Sequence, residues 1–267
     1  FMIDLTGHHA LVTGSSQGVG RSIVEALARA GANVVIHGHE ETPAFEQVVA
    51  TCEGYGVRAN FILGDLAGPT QECASHVFHA ALAANDKIDI LVNNAGGLFD
   101  VDFLEMDLNR FERTMRLNVA APYLLTQLFS QRWVAAGVAG RVLFTGSING
   151  RLAEPNHTAY DTSKGAVDAM VRTLCVALAP HKIRVNAMAP GLVRTPLTSA
   201  VLDAEPRFNR WMELHTPSGE VPHSDACGPA AAFLVSDLAS HIHGQTLLVD
   251  GGMSAWQQPE PPDDWQG

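Results

Sequence analysis

The sequence is short of basic residues and of long apolar runs. Lys and Arg number 17 against 28 Asp and Glu, which gives a formal net charge of −11. Nucleic acids and anionic membranes attract proteins largely through basic patches, so this balance opposes both kinds of partner. No apolar run approaches the ~20 residues that span a bilayer. We therefore expect no nucleic acid and no membrane as partner, and a small molecule instead.

Cysteine is also scarce. The four cysteines, at positions 52, 73, 175 and 227, include no CxxC pair and are too scattered for a disulfide framework. A reducing cytoplasm is the simplest location for such a chain. The stretch from Phe1 to Gly14 has no basic segment followed by an apolar core, so no secretory signal is expected.

Histidine is plentiful, with 12 copies, but the spacing does not predict a metal site. Cys73, His76 and His79 stand at i, i+3 and i+6 of a helical segment, a rotation too wide for one compact ligand set. We expect no metal.

Short apolar runs alternate with amphipathic segments along the chain. The runs cover residues 10–14, 33–37, 58–65, 88–96, 140–147, 183–191 and 245–252. Each is apolar on both faces and rich in β-branched residues, as expected of strands buried in a parallel sheet. The predicted fold class is therefore α/β, a doubly wound seven-stranded parallel sheet with helices on both faces. Its 267 residues suit a single domain over residues 1–267.

The helical pattern is clearest in residues 20–31, 108–133 and 159–180. Two other segments do not follow the alternation. Residues 194–224 are long and mixed in character, and we expect them to form a lid. Residues 256–267 are rich in proline and acid, so we expect an extended or disordered tail.

The first predicted strand runs directly into "TGSSQGVG", residues 13–20, and a helix follows. Glycines allow a pyrophosphate to approach the backbone closely, and the start of a helix offers free N–H groups and a positive dipole end. A plain strand-to-helix turn is the alternative. The placement between strand and helix favours dinucleotide binding.

Tyr160 and Lys164 lie four residues apart in "YDTSK", and Ser147 ends the strand before them. On a helix this spacing puts the phenol and the ammonium on one face. Such a pair also arises by chance on amphipathic helices, so its meaning depends on the rest of the chain.

Seven short motifs, taken together, supply that context. They are "TGSSQGVG" at 13–20, "GDL" at 64–66, "NNAG" at 93–96, "LNV" at 117–119, "GS" at 146–147, "YDTSK" at 160–164 and "PGLVRT" at 190–195. With these motifs in this order, the chain resembles the ordinary single-domain form of the short-chain dehydrogenase/reductase family. The resemblance covers residues 5–253.

The resemblance implies a catalytic set of Asn118, Ser147, Tyr160 and Lys164. Tyr160 would be the general acid/base, and because free tyrosine has a pKa near ~10 it needs help near neutrality. A cationic Lys164 favours the phenolate and would also hold the nicotinamide ribose. Ser147 would bind the substrate oxygen where negative charge develops. Asn118 would kink its helix and seat a water that passes protons to Lys164.

The resemblance also implies a nicotinamide dinucleotide. Asp65 is expected to accept from the adenine amine, Ala95 and Gly96 to pack along the ribose, and Val193 and Thr195 to hold the carboxamide and phosphates. With Tyr160 and Lys164, the predicted coenzyme set is Gly14, Ser16, Gln17, Gly18, Val19, Gly20, Gly38, His39, Asp65, Leu66, Asn93, Ala95, Gly96, Pro190, Val193 and Thr195.

The sequence departs from the family pattern at the coenzyme selector, "VVIHGHEE" at 34–41. NAD-dependent members usually carry Asp near Gly38, and NADP-dependent members carry Arg near His39 or a basic residue near Gln17. This chain has neither the aspartate of the NAD-dependent members nor a basic residue of the NADP-dependent members. A 2′-phosphate needs a cation, and a histidine followed by two glutamates is a weak one near neutral pH. The segment favours NAD, with NADP as the alternative.

The predicted substrate residues are Ser147, Asn149, Arg151, His157 and Tyr160, which form a polar wall. Such a wall suits a sugar, polyol or sugar acid, so we predict hydride transfer between the coenzyme and a secondary alcohol or ketone of such a molecule. A 3-oxoacyl reductase of lipid synthesis shares the motifs and remains an alternative. A non-catalytic dinucleotide sensor is a second alternative, but the presence of Ser147, Tyr160 and Lys164 argues against it.

The predicted helices 108–133 and 159–180 carry broader apolar faces than one sheet face needs, and the last strand is predicted at a sheet edge. Both features favour burial against a partner. By the resemblance we expect a homotetramer, with the tail lying over a neighbouring subunit near its lid.

Overall fold

The computed structural model describes residues 2–256, apart from the side chain of Leu197. Within that range seven strands form a single sheet: β1 (His9–Val12), β2 (Asn33–Gly38), β3 (Ala59–Leu63), β4 (Ile90–Asn93), β5 (Arg141–Thr145), β6 (Arg184–Pro190) and β7 (Thr246–Val249). All neighbouring pairs are parallel, in the spatial order β3-β2-β1-β4-β5-β6-β7. The predicted seven-stranded parallel sheet is confirmed.

Helices cover both faces of the sheet. They are α1 (Gly18–Arg29), α2 (Pro43–Glu53), α3 (Thr70–Ala84), α4 (Leu108–Met115), α5 (Ala121–Ala136), α6 (Thr158–Leu178), α7 (Pro196–Ala204), α8 (Pro206–Leu214) and α9 (Gly228–Val235). Ala10 and Val12 of β1 pack with α1 and α9 in one buried cluster, whereas Leu11 packs with α3, α5 and α6 in another. Alternate residues of each strand thus build two cores, as in a doubly wound fold.

The segment predicted as one helix over 108–133 is interrupted. Between α4 and α5 the residues Arg116–Ala120 form a π-turn, in which Ala121 N–H donates to the carbonyl of Arg116 five residues back. Asn118 lies inside this turn and is buried. The predicted kink therefore takes the form of one widened turn, a feature common at functional sites.

The strand order reverses between β1 and β4, which are neighbours in the sheet although β1 connects to β2. Loops that follow the two strands leave in opposite directions and open a crevice at the carboxyl ends of the strands. The predicted edge position of the last strand is confirmed for β7. Trp133, buried on α5, donates from its indole N–H to the carbonyl of Ile88 over 2.7 Å.

Residues 194–224, the predicted lid, contain α7 and α8. The side chain of Arg194 joins both helices, because it donates to Asp203 over 2.9 Å and to Asn209 over 2.7 Å. Of the predicted tail 256–267, only Trp256 lies within the described residues. Among the helices of that described part, none is both long and apolar enough to cross a bilayer.

Candidate active site

The turn after β1 has the geometry of a phosphate cradle. Gly14 and Gly18 have φ of 62° and 57°, values that favour glycine, and a Cβ on Gly14 would lie 2.9 Å from Cα of Ala95. Helix α1 starts at Gly18 behind the N-cap Gln17, and no side chain caps it. Its first N–H groups therefore lack a protein cap, as suits an anionic ligand at a helix start.

The predicted coenzyme residues of this turn lie beside those of the lid. Ser16, Gln17 and Gly18 line one cleft of about 620 Å³ together with Thr195. A Cβ on Gly18 would stand 3.4 Å from Cγ2 of Thr195, so the two segments are in contact distance. These residues fit a dinucleotide phosphate in composition and position.

Asn94, which the sequence prediction omitted, ties the turn to the centre of the sheet. Its Nδ2 donates to the carbonyls of Thr13 and Gly14 over 3.0 and 2.9 Å. Its Oδ1 accepts from the Thr145 hydroxyl over 3.1 Å. Asn93, which was predicted, faces the interior instead, where its Nδ2 donates to Thr126 over 3.0 Å.

His37, near the end of β2, is a second residue that the sequence prediction missed. Its Nδ1 accepts from Gly14 N–H and its Nε2 bonds the carbonyl of Gly64, each over 3.0 Å. The side chain is buried, and burial lowers the pKa of His37 to about 4. The ring is thus neutral near pH 7.

The remaining predicted coenzyme residues take different environments. Asp65 is exposed, and its Oδ1 accepts from Ala67 N–H over 2.8 Å. Gly96 is also exposed beside the half-buried Ala95. The side chains of Leu66 and Val193 are buried, so any contact from them with a ligand would come through the backbone. The other members, Val19, Gly20 and Pro190, lie at the start of α1 and the end of β6.

The structure brings Ser147, Tyr160 and Lys164 together at the carboxyl end of β5. Lys164 is buried on α6, donates from Nζ to the Thr145 carbonyl over 2.9 Å, and stands 5.4 Å from the centre of the Tyr160 ring. The Ser147 side chain lies close enough to the Tyr160 phenol to lower its pKa. A hydroxyl, a phenol and an ammonium therefore share one small volume next to the crevice.

Two pKa values in this group depart from their ordinary values. Burial raises the pKa of the Tyr160 phenol, the neighbouring Ser147 hydroxyl lowers it, and the carboxylates of Asp161 and Glu154 raise it. Burial lowers the pKa of Lys164 to about 8. Tyr160 in this unliganded protein is thus a proton donor, and nearby positive charge is what would favour its phenolate.

Asn118 is held by the protein on all sides. Its Oδ1 accepts from Gly97 N–H over 3.0 Å, and its Nδ2 donates to the Gly97 carbonyl and to Ser163 Oγ, each over 2.9 Å. Ser163 in turn donates to the Tyr160 carbonyl over 2.6 Å. The side chain thus connects the loop after β4 to α6, and the predicted water relay stays a prediction.

Of the predicted substrate residues, two are engaged elsewhere. Asn149 is buried and donates from Nδ2 to Glu154 and to Asp161, each over 2.9 Å. Arg151 pairs with Asp168 over 3.4 Å. Both side chains are therefore bonded to carboxylates of α6.

His157, another predicted substrate residue, lies beside Tyr160. Its Nδ1 is 3.4 Å from Glu154 Oε1, and its ring stands edge-on to Tyr160 with centroids 6.2 Å apart. These contacts place the His157 ring beside the Tyr160 ring.

The coenzyme selector has a structural reason for its glycine. A Cβ on Gly38 would lie 2.4 Å from Cζ of Phe45, so the ring of α2 fills the space that a side chain would need. His39, the next residue, is exposed, and its Nε2 is 3.5 Å from Glu40 Oε1.

No group of three or more metal-ligating side chains stands close enough to hold an ion within residues 2–256. Cys73, His76 and His79, whose spacing does not predict a metal site, lie on α3, where His76 Nε2 bonds the carbonyl of Leu63 over 3.2 Å.

Comparison with known proteins identifies the family. A family model described as enoyl-(acyl carrier protein) reductase matches residues 14–254. The L-rhamnose 1-dehydrogenase (NAD(P)(+)) of Sphingomonas sp. (strain SKA58) is 35% identical over 251 residues, 93% of this chain and 97% of that protein. The chain belongs to the short-chain dehydrogenase/reductase family.

Other members of the short-chain dehydrogenase/reductase family extend the comparison. The 3-oxoacyl-[acyl-carrier-protein] reductase FabG of Aquifex aeolicus is 35% identical over 94% of this chain and 99% of its own. The crystal structure of a putative 2-deoxy-D-gluconate 3-dehydrogenase from Agrobacterium tumefaciens with bound NADP has a TM-score of 0.86 and 32% identity, over 95% of this chain and 99% of its own. The predicted nicotinamide-dependent oxidoreductase class is confirmed.

Proposed function

We propose that this short-chain dehydrogenase/reductase transfers a hydride between NAD(P) and a secondary alcohol or ketone of a sugar, polyol or sugar acid. The observation that carries the proposal is the grouping of Ser147, Tyr160 and Lys164, which Thr145 and Asn94 connect by hydrogen bonds to the turn before the uncapped start of α1. A proton-transferring phenol and a dinucleotide cradle are the two parts that this reaction requires.

In the oxidation direction the chain's residues handle the proton. Ser147 donates to the substrate oxygen and holds it, while Tyr160 Oη takes the hydroxyl proton as the C–O bond becomes a carbonyl. A bound nicotinamide would supply the acceptor for the hydride that leaves the same carbon. Lys164 places positive charge near the Tyr160 ring and so favours the phenolate that receives the proton. Reduction uses the same groups in reverse.

The proposed substrate class rests on the polar wall and on two relatives. His157 and Ser147 are available to hydroxyl groups, and the wall behind them is fixed by the Asn149, Glu154 and Asp161 bonds. The Sphingomonas and Agrobacterium relatives are described as dehydrogenases of rhamnose and of 2-deoxy-D-gluconate. Residues 194–224 would close over this substrate, since Arg194 holds α7 and α8 together.

For the coenzyme we propose a preference for NAD over NADP. The 2′-phosphate of NADP needs a cation at the end of β2, where this chain has Gly38 with no room for a side chain, His39 and Glu40. Because the structure of the Agrobacterium relative has NADP bound, the affinities of this chain for NAD and for NADP must both be measured.

The test is nicotinamide absorbance with a panel of aldoses, polyols, sugar acids and a 3-oxoacyl thioester, each with NAD and with NADP. We expect turnover with members of the first three groups and faster turnover with NAD. Tyr160→Phe, which keeps the ring but removes the proton donor, is expected to bind coenzyme and to lose nearly all turnover.

The other candidates give different results in the same panel. Activity confined to the acyl thioester with NADP would show a 3-oxoacyl reductase, for which the Aquifex relative is the precedent. Coenzyme binding without turnover of any substrate would favour a sensor. Tyr160→Phe turnover within about tenfold of wild type would refute the proposed mechanism.

A further inference from the structure

His37 is a buried histidine that the proposed proton transfer does not use. It is 2% exposed and lies near the end of β2, between the turn after β1 and the end of β3. Gly14 N–H donates to its Nδ1, and the Gly64 carbonyl lies 3.0 Å from its Nε2. Because an N–H group only donates and a carbonyl only accepts, these partners require the neutral tautomer with hydrogen on Nε2.

The backbone of His37 binds the same turn. Its N–H donates to Ser15 Oγ over 3.0 Å, and its carbonyl accepts from Ser15 N–H over 2.8 Å. The Ser15 hydroxyl itself donates to Val12 over 2.7 Å. The first residues of the turn are thus fastened to β2 by both the backbone and the side chain of one histidine.

The backbone of Gly14 is the element that His37 holds. The Gly14 N–H donates to His37, the Gly14 carbonyl accepts from Asn94, and Ala95 excludes any side chain at this position. The two successive peptide groups that flank Gly14 are therefore each held by one side chain, the first by a residue of β2 and the second by a residue after β4.

The second bond of the ring leads to another segment proposed for the coenzyme. Gly64, which accepts from Nε2–H, immediately precedes Asp65, the residue expected at the adenine amine. Gly64 N–H also donates to the Gly38 carbonyl over 2.9 Å. One imidazole ring thus joins the backbone proposed for the pyrophosphate to the backbone proposed for the adenine.

We propose that His37 is a positioning residue for coenzyme binding, whose neutral ring sets the Gly14 turn and the Gly64–Asp65 segment in their bound arrangement before the coenzyme arrives. A site already arranged loses less conformational entropy on binding, so the bonds of His37 act on affinity. The inference rests on the proposed function, since it takes the turn and Asp65 as coenzyme contacts.

The test compares three substitutions by calorimetric titration of NAD and NADP and by kinetics at saturating coenzyme. His37→Leu removes both bonds, His37→Asn keeps an acceptor where Nδ1 stands, and His37→Gln keeps a donor where Nε2 stands. We expect His37→Leu and His37→Gln to raise the coenzyme Kd by about tenfold or more, because Gly14 N–H is left unpaired. We expect His37→Asn to restore Kd to within about threefold of wild type, with kcat nearly unchanged in all three.

His9→Leu is the matched control. His9 is a buried histidine of the neighbouring strand β1, but it lies at the opposite end of the strand, where its Nδ1 is 2.9 Å from Asn85 Nδ2. We expect this substitution to lower stability and to leave the coenzyme Kd unchanged. An equal rise in Kd for His9→Leu and His37→Leu would overturn the proposal, because general destabilisation would then explain both.

Two measurements keep the proposal testable if His37→Leu does not fold. Equal coenzyme Kd values for the His37→Asn and His37→Gln variants would refute the proposal, whereas tighter binding by the His37→Asn variant supports it. In the wild-type protein with ¹⁵N-labelled histidine, NMR must show the hydrogen of the neutral His37 ring on Nε2. A hydrogen on Nδ1 would overturn the proposal. Wild type that binds neither coenzyme refutes the proposed function itself, whereas variants that bind as wild type refute only the role of His37.

Discussion

Single side chains divide the proposed site into a chemical part and a positioning part. Ser147, Tyr160 and Lys164 supply a hydroxyl, a phenol and an ammonium within one group of neighbouring side chains. Asn94 and His37 touch none of these atoms, and instead hold the peptide of Gly14. Substitutions in the two parts should therefore separate in kinetics, with the first acting on kcat and the second on coenzyme affinity.

Ser147→Ala tests the chemical part. The serine hydroxyl is placed to stabilise negative charge that develops on the substrate oxygen, so its removal acts mainly in the transition state. We expect kcat to fall about 100-fold while the coenzyme Kd stays within about threefold. Stopped-flow kinetics with separate coenzyme titration distinguishes the two effects, and a change confined to KM would contradict this role.

His39→Arg tests the selector. An arginine at this exposed position would replace a weak cation by a permanent, bidentate one, so we expect NADP affinity to rise about tenfold and NAD affinity to change little. His79→Arg, which adds the same charge on the exposed face of α3, is the control. Gly38→Asp is unsuitable, because its Cβ would collide with Phe45. NADP binding tighter than NAD in wild type would show that another cation meets the phosphate.

The burial of His37 also predicts a pH dependence of stability. Its pKa is lowered by burial to about 4, whereas an unfolded histidine has a pKa of 6.5, so the unfolded chain binds more protons between these values. His39 and His76 lower this pKa further, and Gly64 and Asp65 raise it. We expect the free energy of unfolding to fall as pH drops from 6.5 towards 4, by up to ~1.4 kcal/mol per pH unit.

Chemical denaturation at several pH values measures this dependence. Because burial also lowers the pKa of His9 and His243, the relevant quantity is the difference between wild type and His37→Asn, whose amide does not titrate. Parallel pH profiles for the two proteins would show that His37 is not the group responsible.

At the level of elements, sequence patterns located the strands well. Buried parallel strands are apolar on both faces, so each stands out as a run, and the structure has all seven within the predicted ranges or a residue beyond them. The π-turn at Asn118 is set by bonds to Gly97 and Ser163, which lie 21 and 45 residues away. No local pattern contains such contacts.

The same reason explains why part of the site was missed. In the sequence His37 is a polar residue near the end of an apolar run, and its partners Gly14 and Gly64 follow two other strands, 23 and 27 residues away. Asn149 and Arg151 have the chemistry of substrate ligands, but their bonds to Glu154, Asp161 and Asp168 become visible only in the folded chain.

Arg184 joins β6 to the end of α9, and its substitution tests how much that connection contributes to stability. Its buried guanidinium donates to the carbonyls of Leu234, Ser236 and Ala239 over 2.8–2.9 Å. Burial lowers the pKa of Arg184 to about 10, so it stays charged at neutral pH. We expect Arg184→Met to lower the free energy of unfolding by about 2–4 kcal/mol, since three carbonyls lose their donor.

The control for this prediction is Arg110→Met. Arg110 pairs with Asp107 on the exposed face of α4, and such a pair contributes less than ~1 kcal/mol. Urea denaturation of both variants gives the comparison. Equal losses would mean that the bonds of Arg184 to α9 contribute no more than a surface ion pair.

The whole molecule exposes apolar surface on α5 and α6. Tyr123, Val134 and Val176 are 46%, 44% and 77% exposed, and a cavity of about 460 Å³ lies between the two helices. Such surface favours burial against another copy of the chain, and we propose a homotetramer that covers these helices and the β7 edge.

Light scattering tests the assembly. We expect a mass of four times 28.5 kDa for wild type and a smaller species for Val134→Asp, because a carboxylate would be buried in the interface. Tyr55→Asp adds the same charge at an exposed aromatic residue outside these helices and should leave the mass unchanged. A wild-type mass of one chain would exclude the tetramer.

The reversal of strand order between β1 and β4 means that the proposed site has contributions from both halves of the chain. Neither half alone contains it, so a nicotinamide dinucleotide can bind only the complete fold. By mass action a ligand of the folded state at 100 times its Kd adds about 2.7 kcal/mol to the free energy of unfolding. Resistance of the purified chain to proteolysis should therefore increase with the concentration of coenzyme.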